Sequence, residues 1–451
     1  MSHFWHALRQ GNWRSLLACF LYFDTGFTLW VMLGPLAPFM APGLHVGAAD
    51  LGFLVAVPVL SAAILRIMLG ALYQSWDGRS IALLGVALSA LPVAIIGCAG
   101  APGFHELVIL GVLLGFGGAS FAVALPMAGS SYPAKVQGLV LGLAAAGNVG
   151  AVLDGFLFPA LAQSWGWQRA TLVVLPLLAV TAWALYAFAD DRQAKQGSVW
   201  HGLRNLLLVT LALLALIEAV HAGILSTFGR LLLPVLGVTL ALAVLPGDYR
   251  RELKARDAWL IMLIYSITFG GFVGMSSYVA VLMSTAYHLS KVHAGMVMAV
   301  LACTGALLRP LGGHLADRIS GSRALLFLLC LIALIDAAFA LLHPQLPSAL
   351  LMLFLLYVGF GLGNGATFQW VAQRWSGRTG LMTGIIGCAG GIGGFYLPVL
   401  MGLAHEFTGS YAAGFALFAL LAATAAALVA RRRMVSRMDS DAMGTEERAV
   451  A

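Results

Sequence analysis

Apolar runs of about twenty residues recur along the whole chain, divided by short segments that hold most of the charge. Each run is long enough to cross a hydrocarbon layer of ~30 Å as a helix. The runs fall near 15–40, 48–73, 80–99, 105–129, 136–161, 168–189, 203–222, 230–246, 258–284, 292–316, 323–342, 348–372, 379–403 and 410–430. This pattern predicts fourteen spans and an all-α polytopic membrane protein. A membrane β-barrel would show short segments of alternating polarity instead. Charged residues make up only 10% of the chain, against ~25% in a soluble domain. The opening MSHFWHALRQGNWR lacks the short apolar core and small-residue cleavage site of a leader, so the first run is expected to stay as a span.

The net charge of +7 would raise the question of nucleic acid in a soluble protein. Here the loops account for it, and no nucleic-acid partner is expected. With fourteen spans both termini share one side. Of the 25 Lys and Arg, 20 fall in segments on that side and only Arg169, Arg230 and Lys291 on the other. That asymmetry places both termini in the cytoplasm and the chain in the inner membrane. The remaining two, Arg66 and Arg309, lie within spans. The five cysteines form no ligand spacing, and no pair of histidines has metal-site spacing. No cofactor and no metal are implied.

The chain also repeats itself. A shift of 243 residues brings Arg66 onto Arg309, Tyr22 onto Tyr265, Thr25 onto Thr268 and GNVG (147–150) onto GGIG (390–393). A common shift across several spans points to two homologous six-helix halves in the same orientation, one of the known transporter plans. The predicted organisation is an N-terminal six-helix bundle (1–190), a connector (191–257), a C-terminal six-helix bundle (258–433) and a cytoplasmic tail (434–451). The connector holds two further apolar stretches, read as extra spans that preserve the sidedness of the second half; an interfacial hairpin is the alternative. Glu218 within the first of them is read as satisfied by a neighbour.

The twin arginines carry the functional signal. At 1.5 Å per residue, Arg309 lies about 12 Å, and Arg66 about 16 Å, from the acidic residue ending its helix, Asp317 and Asp77 respectively. Both therefore sit near the bilayer centre, where an arginine costs at least about 2.5–3.5 kcal/mol. A guanidinium presents paired N–H donors that match two oxygens of a planar or tetrahedral anion. One arginine from each half, meeting at the pseudo-two-fold axis, would clamp a small oxyanion. The competing reading pairs each arginine with a carboxylate such as Asp24, which lies at the depth of Arg66. Asp24 is alternatively a proton carrier. The glycine strings GNVG, GCAGGIGG (387–394) and GFGLGNG (359–365) place small residues at helical spacing, as close helix approach requires.

These residues also carry a resemblance. GGHLADRISGSR (312–323) resembles the loop motif of the major facilitator superfamily, with a degenerate counterpart in GALYQSWDGR (70–79). LRPLGGHLADR, GNVG, GCAGGIGGFYLP and the first-helix stretch FDTGFTLWVMLGPLAP are similar to those of its nitrate/nitrite porter family. The resemblance covers both halves but not the connector. It implies that Arg66 and Arg309 bind substrate and that Phe121 and Phe269 stack on it. It also implies that Tyr265 and Asn148 contact it, with Gly147, Gly150, Gly390, Gly391 and Gly393 forming the glycine signature. Ser120 and Gly305 replace polar positions of the family, and Asp24 and Asp154 are unusual acids in apolar helices.

The sequence thus predicts a monomeric secondary carrier of nitrate or nitrite, embedded in the lipid bilayer and working by alternating access. A carrier of another small anion, such as an organic carboxylate or phosphate, is the alternative within transport. No HExxH helix, GxSxG elbow or large soluble domain points to an enzyme.

Overall fold

The computed structural model describes residues 9–98, 100, 102–133, 136–245, 247, 251, 253–375 and 379–450. Lys135, Arg250 and Arg378, counted above among the basic loop residues, lie outside them. The first half runs α1 Trp13–Val31, α2 Leu33–Leu44, α3 Ala48–Tyr73, α4 Gly78–Cys98, α5 Phe104–Ala119, α6 Phe121–Ser130, α7 Gln137–Ala145, α8 Gly150–Trp165, α9 Trp167–Thr171 and α10 Val174–Phe188. The connector holds α11 Val199–His221 and α12 Leu233–Val244. The second half runs α13 Arg256–Ala286, α14 Lys291–Ile319, α15 Gly321–Leu342, α16 Leu346–Arg374, α17 Thr379–Thr408 and α18 Ala412–Val450.

Thirteen of the described helical spans are long and apolar enough to cross a membrane, so the protein is a multi-pass membrane protein. The expected fourteenth span is shorter. It consists of a 3₁₀ turn, Phe228–Leu232, followed by α12, Phe228–Val244 in all. The turn rises ~2 Å per residue and the helix ~1.5 Å, giving about 28 Å, close to the thickness of the hydrocarbon layer. The connector therefore forms a helical pair of nearly full span length.

Several spans of the first half are broken, and the sequence shows why. The first breaks at Met32, just before the run Pro35, Pro38, Pro42, whose rings remove backbone donors. The fifth breaks on GNVG, where Ala146–Val149 tightens to a 3₁₀ turn. The second half has longer unbroken helices of 29 to 31 residues at α13, α14, α16 and α17.

Glycines set how the two halves meet. Along α3 and α17, Gly402 packs on Ala48 and Ala49, Gly52 on Pro398, Gly394 on Val59, Gly391 on Ala63, and Gly387 on Arg66. At most of these points a Cβ would collide with the facing helix. The pair splays beyond Arg66: a Cβ at Gly384 would meet nothing within 4 Å, and Gly70 faces only Ala122 of its own half at 3.7 Å. A second seam, Gly155 of α8 on Gly295 and Ala299 of α14, lies toward the same tight end. So the halves are closed at the end carrying the 45–47 and 287–290 loops. They part toward the end carrying residues 74–77 and 190–196.

The connector reinforces the closed end. Arg230 Nη1 lies 2.7 Å from Asp50 Oδ1, and its guanidinium sits 4.7 Å above the Phe53 ring, both on α3. The Tyr396 hydroxyl of α17 donates to the Leu231 carbonyl at 2.9 Å, and Phe228 stacks on Phe407 of α17 at 5.3 Å. One short turn therefore clasps α3 to α17 across the halves. The Glu406 carboxylate adds a second bridge by accepting from the Ala49 N–H at 2.8 Å, at the α3 N-terminus, where the helix dipole favours an anion. Glu218 does find a neighbour: its Oε1 lies 3.2 Å from His105 Nε2. His105 in turn stacks on His221 at 3.6 Å. Among the described residues no three His, Cys, Asp or Glu side chains converge as metal ligands do.

Candidate anion site

Arg66 is fully buried, and its hydrogen bonds tie the halves together. Nη1 donates to the Gly387 carbonyl of α17 and Nη2 to the Gly118 carbonyl of α5, both at 2.9 Å. Glycine is needed at Gly118 and keeps Gly387 clear of the guanidinium. A Cβ on Gly118 would lie 2.5 Å from the Trp30 ring, and one on Gly387 would lie 3.1 Å from Arg66 Nη1. Three aromatic faces enclose the guanidinium: Phe121 at 4.9 Å, Trp30 at 5.1 Å and Phe269 at 6.0 Å. Its Nε is enclosed without a hydrogen-bond partner among the described residues.

Arg309 is half-buried on α14. Its Cζ lies 5.8 Å from the Phe269 ring centre and 5.6 Å from that of Phe368 on α16. Nη1 is enclosed and unpartnered among the described residues. GFGLGNG places this arginine: Gly361 sits against the Gly305 backbone and Gly365 against the Arg309 carbonyl, and a Cβ at either would overlap the facing helix. α14 and α16 thus touch backbone to backbone beside the guanidinium.

Phe269 joins the two sites. Both guanidinium groups lie within about 6 Å of its ring, inside cation–π range, so their Cζ atoms are no more than about 12 Å apart. Tyr265, one turn earlier on α13, stacks on Phe269 at 5.0 Å and 8° and meets Phe368 edge-on at 5.1 Å. Its phenol interacts electrostatically with both arginines. Gly390 leaves room for this stack, since a Cβ there would lie 2.7 Å from Tyr265 and 2.8 Å from Phe269. Trp30 closes the side toward the first half, 6.0 Å from Phe269.

Arg66, Arg309, Phe121 and Tyr265 thus gather around Phe269 and its neighbours, and neither arginine forms a salt bridge among the described residues. Asp24 does not neutralise Arg66. Asn148 stands one layer back. Its 3₁₀ turn packs on α1 with Gly147 against Phe23 and Gly150 against the Asp24 carbonyl, and Phe23 then meets Phe121 at 5.3 Å. Among the signature glycines, Gly391 faces Ala63 of α3 and Gly393 faces Ser266 of α13. Sequence reasoning missed Trp30, Phe368 and the two glycine carbonyls on Arg66. Trp30 was visible as an indole within an apolar run; the carbonyls had no sequence signal.

At the open end, Asp191 organises the first half. It accepts from the Tyr73 hydroxyl and the Gly78 N–H, both at 2.8 Å, and lies 2.6 Å from Lys195 Nζ. Burial alone would raise this carboxyl, but the Lys195 ammonium and the donors from Gly78, Tyr73 and Gln193 outweigh it and hold it below the usual carboxylate range. In the second half Asp257 plays a similar part, 2.9 Å from Arg374 Nε and 2.7 Å from Arg432 Nη2.

Two repeated bundles around a cationic, aromatic centre define a membrane transport protein rather than an enzyme. The sequence pattern of the Major Facilitator Superfamily matches residues 16–398. The chain is 32% identical over 411 residues to the Probable nitrate/nitrite transporter NarK2 of Mycobacterium tuberculosis, covering 90% of this chain and 93% of that protein. It is 29% identical to the Nitrite extrusion protein of Bacillus subtilis, covering 86% and 87% of the two chains. It is 25% identical to the Probable nitrate/nitrite antiporter NarK1 of Thermus thermophilus, covering 91% and 88%. A crystal structure of a POT family transporter in complex with 5-aminolevulinic acid shares the fold, with a TM-score of 0.72 at 14% identity over 93% of this chain and 95% of that one. The protein belongs to the major facilitator superfamily and, within it, to the nitrate/nitrite porter family.

Proposed function

We propose that this protein carries nitrate or nitrite across the bacterial inner membrane by alternating access, as a monomer with both termini cytoplasmic. The observation that carries the reading is the pair of midplane guanidinium groups, one from each half, sharing the Phe269 ring without a carboxylate partner. Two neighbouring cations, one buried and one half-buried, with no counter-anion among the described residues repel each other, the more so in a low dielectric. A monovalent oxyanion between them relieves that repulsion and draws the halves together. Its edges would take N–H donors from Arg66 and Arg309, while Phe121, Trp30 and Phe269 exclude water from its faces. Tyr265 would orient it from the side of the second half. The names of the relatives support the same substrate class.

The splayed end would admit the anion from the cytoplasm, and closure there would bring α3 and α17 together beyond Arg66. Opening of the opposite end must then release the 3₁₀ clasp and the Glu406 bridge. Counterflow into proteoliposomes loaded with nitrite tests the reading. Labelled nitrate should exchange in, and unlabelled nitrite should compete with it better than formate or phosphate. Equal competition by phosphate would move the protein to the alternative substrate class. Arg309→Lys should lose at least about tenfold in exchange rate, because it keeps the charge but loses the two-pronged donor.

A further inference from the structure

A second polar cluster lies within the first half, apart from the arginines. Asp154 on α8 is 1% exposed, and both its carboxyl oxygens are enclosed without a hydrogen-bond partner among the described residues. Asp24 on α1 is 8% exposed, with Oδ1 in the same condition, and so is the Thr28 hydroxyl, 4% exposed. Gly150 brings them together. Its Cβ direction points to the Asp24 carbonyl at 2.5 Å and the Thr28 hydroxyl at 2.6 Å. Asp154 follows Gly150 by four residues and so shares that face of α8. The Asp154 carboxyl thus faces the side of α1 that carries Asp24 and Thr28.

Among the described residues neither acid forms an ion pair. Asp24 is the titratable group that acts on Asp154. α2, packed beside α8, has no charged side chain from Leu33 to Leu44. α9, which also packs on α8, carries Arg169. On α14, a third neighbour, Lys291 lies over the Phe39 ring at 4.9 Å and His293 bonds Ser290 at 2.7 Å, with Arg309, His314, Asp317 and Arg318 further along the same helix. A bare carboxylate buried this way is far costlier than a protonated one. Ionisable groups in such positions mark proton relays in membrane carriers.

We propose that Asp154 and Asp24 form a carboxyl pair that takes up and releases one proton in each transport cycle, coupling anion movement to the proton gradient. The step rests on the transport reading above. An O–H bond forms on one carboxylate oxygen with a proton taken from water at one face, and breaks when that proton returns to water at the other. The link to the anion runs through α1, which carries Asp24 on one side and, through Phe23 and Trp30, the aromatic wall of Arg66 on the other. The broken turn at GNVG, against which Asp24 packs, is where this contact can shift.

The test separates exchange from driven uptake in proteoliposomes. In the wild type, an inward proton gradient should drive nitrate accumulation well above the level without a gradient. Asp154→Asn should keep nitrate–nitrite counterflow within about twofold of wild type, yet lose gradient-driven accumulation, and Asp24→Asn should do the same. Gradient-driven accumulation retained in both variants overturns the proposal. So does a wild type that exchanges the anions but ignores the gradient, or one driven by sodium instead. Infrared spectroscopy of the purified wild type gives a second readout. Asp336, also buried with an unpartnered carboxyl oxygen among the described residues, gives a constant background, so the carbonyl band of a protonated acid should titrate with pH and lose amplitude in either Asn variant; a band unchanged in both overturns the proposal. If the wild type exchanges neither anion, the anion reading fails by itself, and the infrared band decides on the carboxyl pair.

Discussion

At the residue scale, Phe269 holds the most constrained position. It lies under both guanidinium groups and touches Trp30, Tyr265 and Phe272. Phe269→Leu keeps an apolar side chain but removes the π face. It is expected to weaken anion binding by up to about thirtyfold, since cation–π contacts in dry surroundings are worth ~2 kcal/mol. Phe269→Ala should also destabilise the protein, by roughly 3–5 kcal/mol for a lost core ring. Nitrate titration and thermal melts of the two variants distinguish these effects. Equal binding by the Leu variant and the wild type would show that the ring serves only to pack. Arg66 makes a different point. Its two bonds go to Gly118 and Gly387, and glycine at each place follows from how near Trp30 and the guanidinium stand.

At the scale of elements, the α3–α17 seam explains what the glycine stripe does. Gly394, Gly391 and Gly387 are occupied contacts, whereas Gly384, on the same stripe, faces open space. Gly384→Val is therefore expected to fold and bind anion normally while slowing exchange by about an order of magnitude or more, because overpacking of ~1–3 kcal/mol falls only on the closed state. Exchange at the wild-type rate would mean that this end never closes along that stripe. The clasp makes the opposite prediction for the other end. Tyr396→Phe combined with Arg230→Gln removes the polar links of the 3₁₀ turn to α17 and α3. Amide hydrogen exchange across residues 48–52 should then rise severalfold, since each lost hydrogen bond is worth ~1 kcal/mol. Unchanged protection would leave Glu406 as the bridge that matters.

For the whole molecule, most of the architecture was legible before the fold. Hydropathy marked the spans, the 243-residue shift marked the halves, and the two arginines stood out because charge is so costly at their depth. The shortened eighth span was not legible, because a 3₁₀ turn supplies length that counting at helical rise misses. Nor were Trp30, Phe368, the glycine carbonyls and Glu406 as partners, because each depends on helices far apart in sequence coming together. Asp191 belongs here too: a residue just past the last helix of its bundle gathers the ends of α3, α4 and α10. Its carboxyl is depressed in the folded protein, so its stabilisation is present above the ordinary carboxylate pKa of ~3.9 and is lost as pH falls through the lower folded value. Thermal stability in detergent should therefore drop on acidification toward pH ~3 and do so less in Asp191→Asn. The central claim is one anion held between two halves, and equilibrium binding of labelled nitrate to the purified protein tests it most directly. The expected result is one nitrate per chain, with affinity lost in Arg66→Lys and in Arg309→Lys alike. Two independent nitrates per chain, or undiminished affinity in either variant, would contradict it.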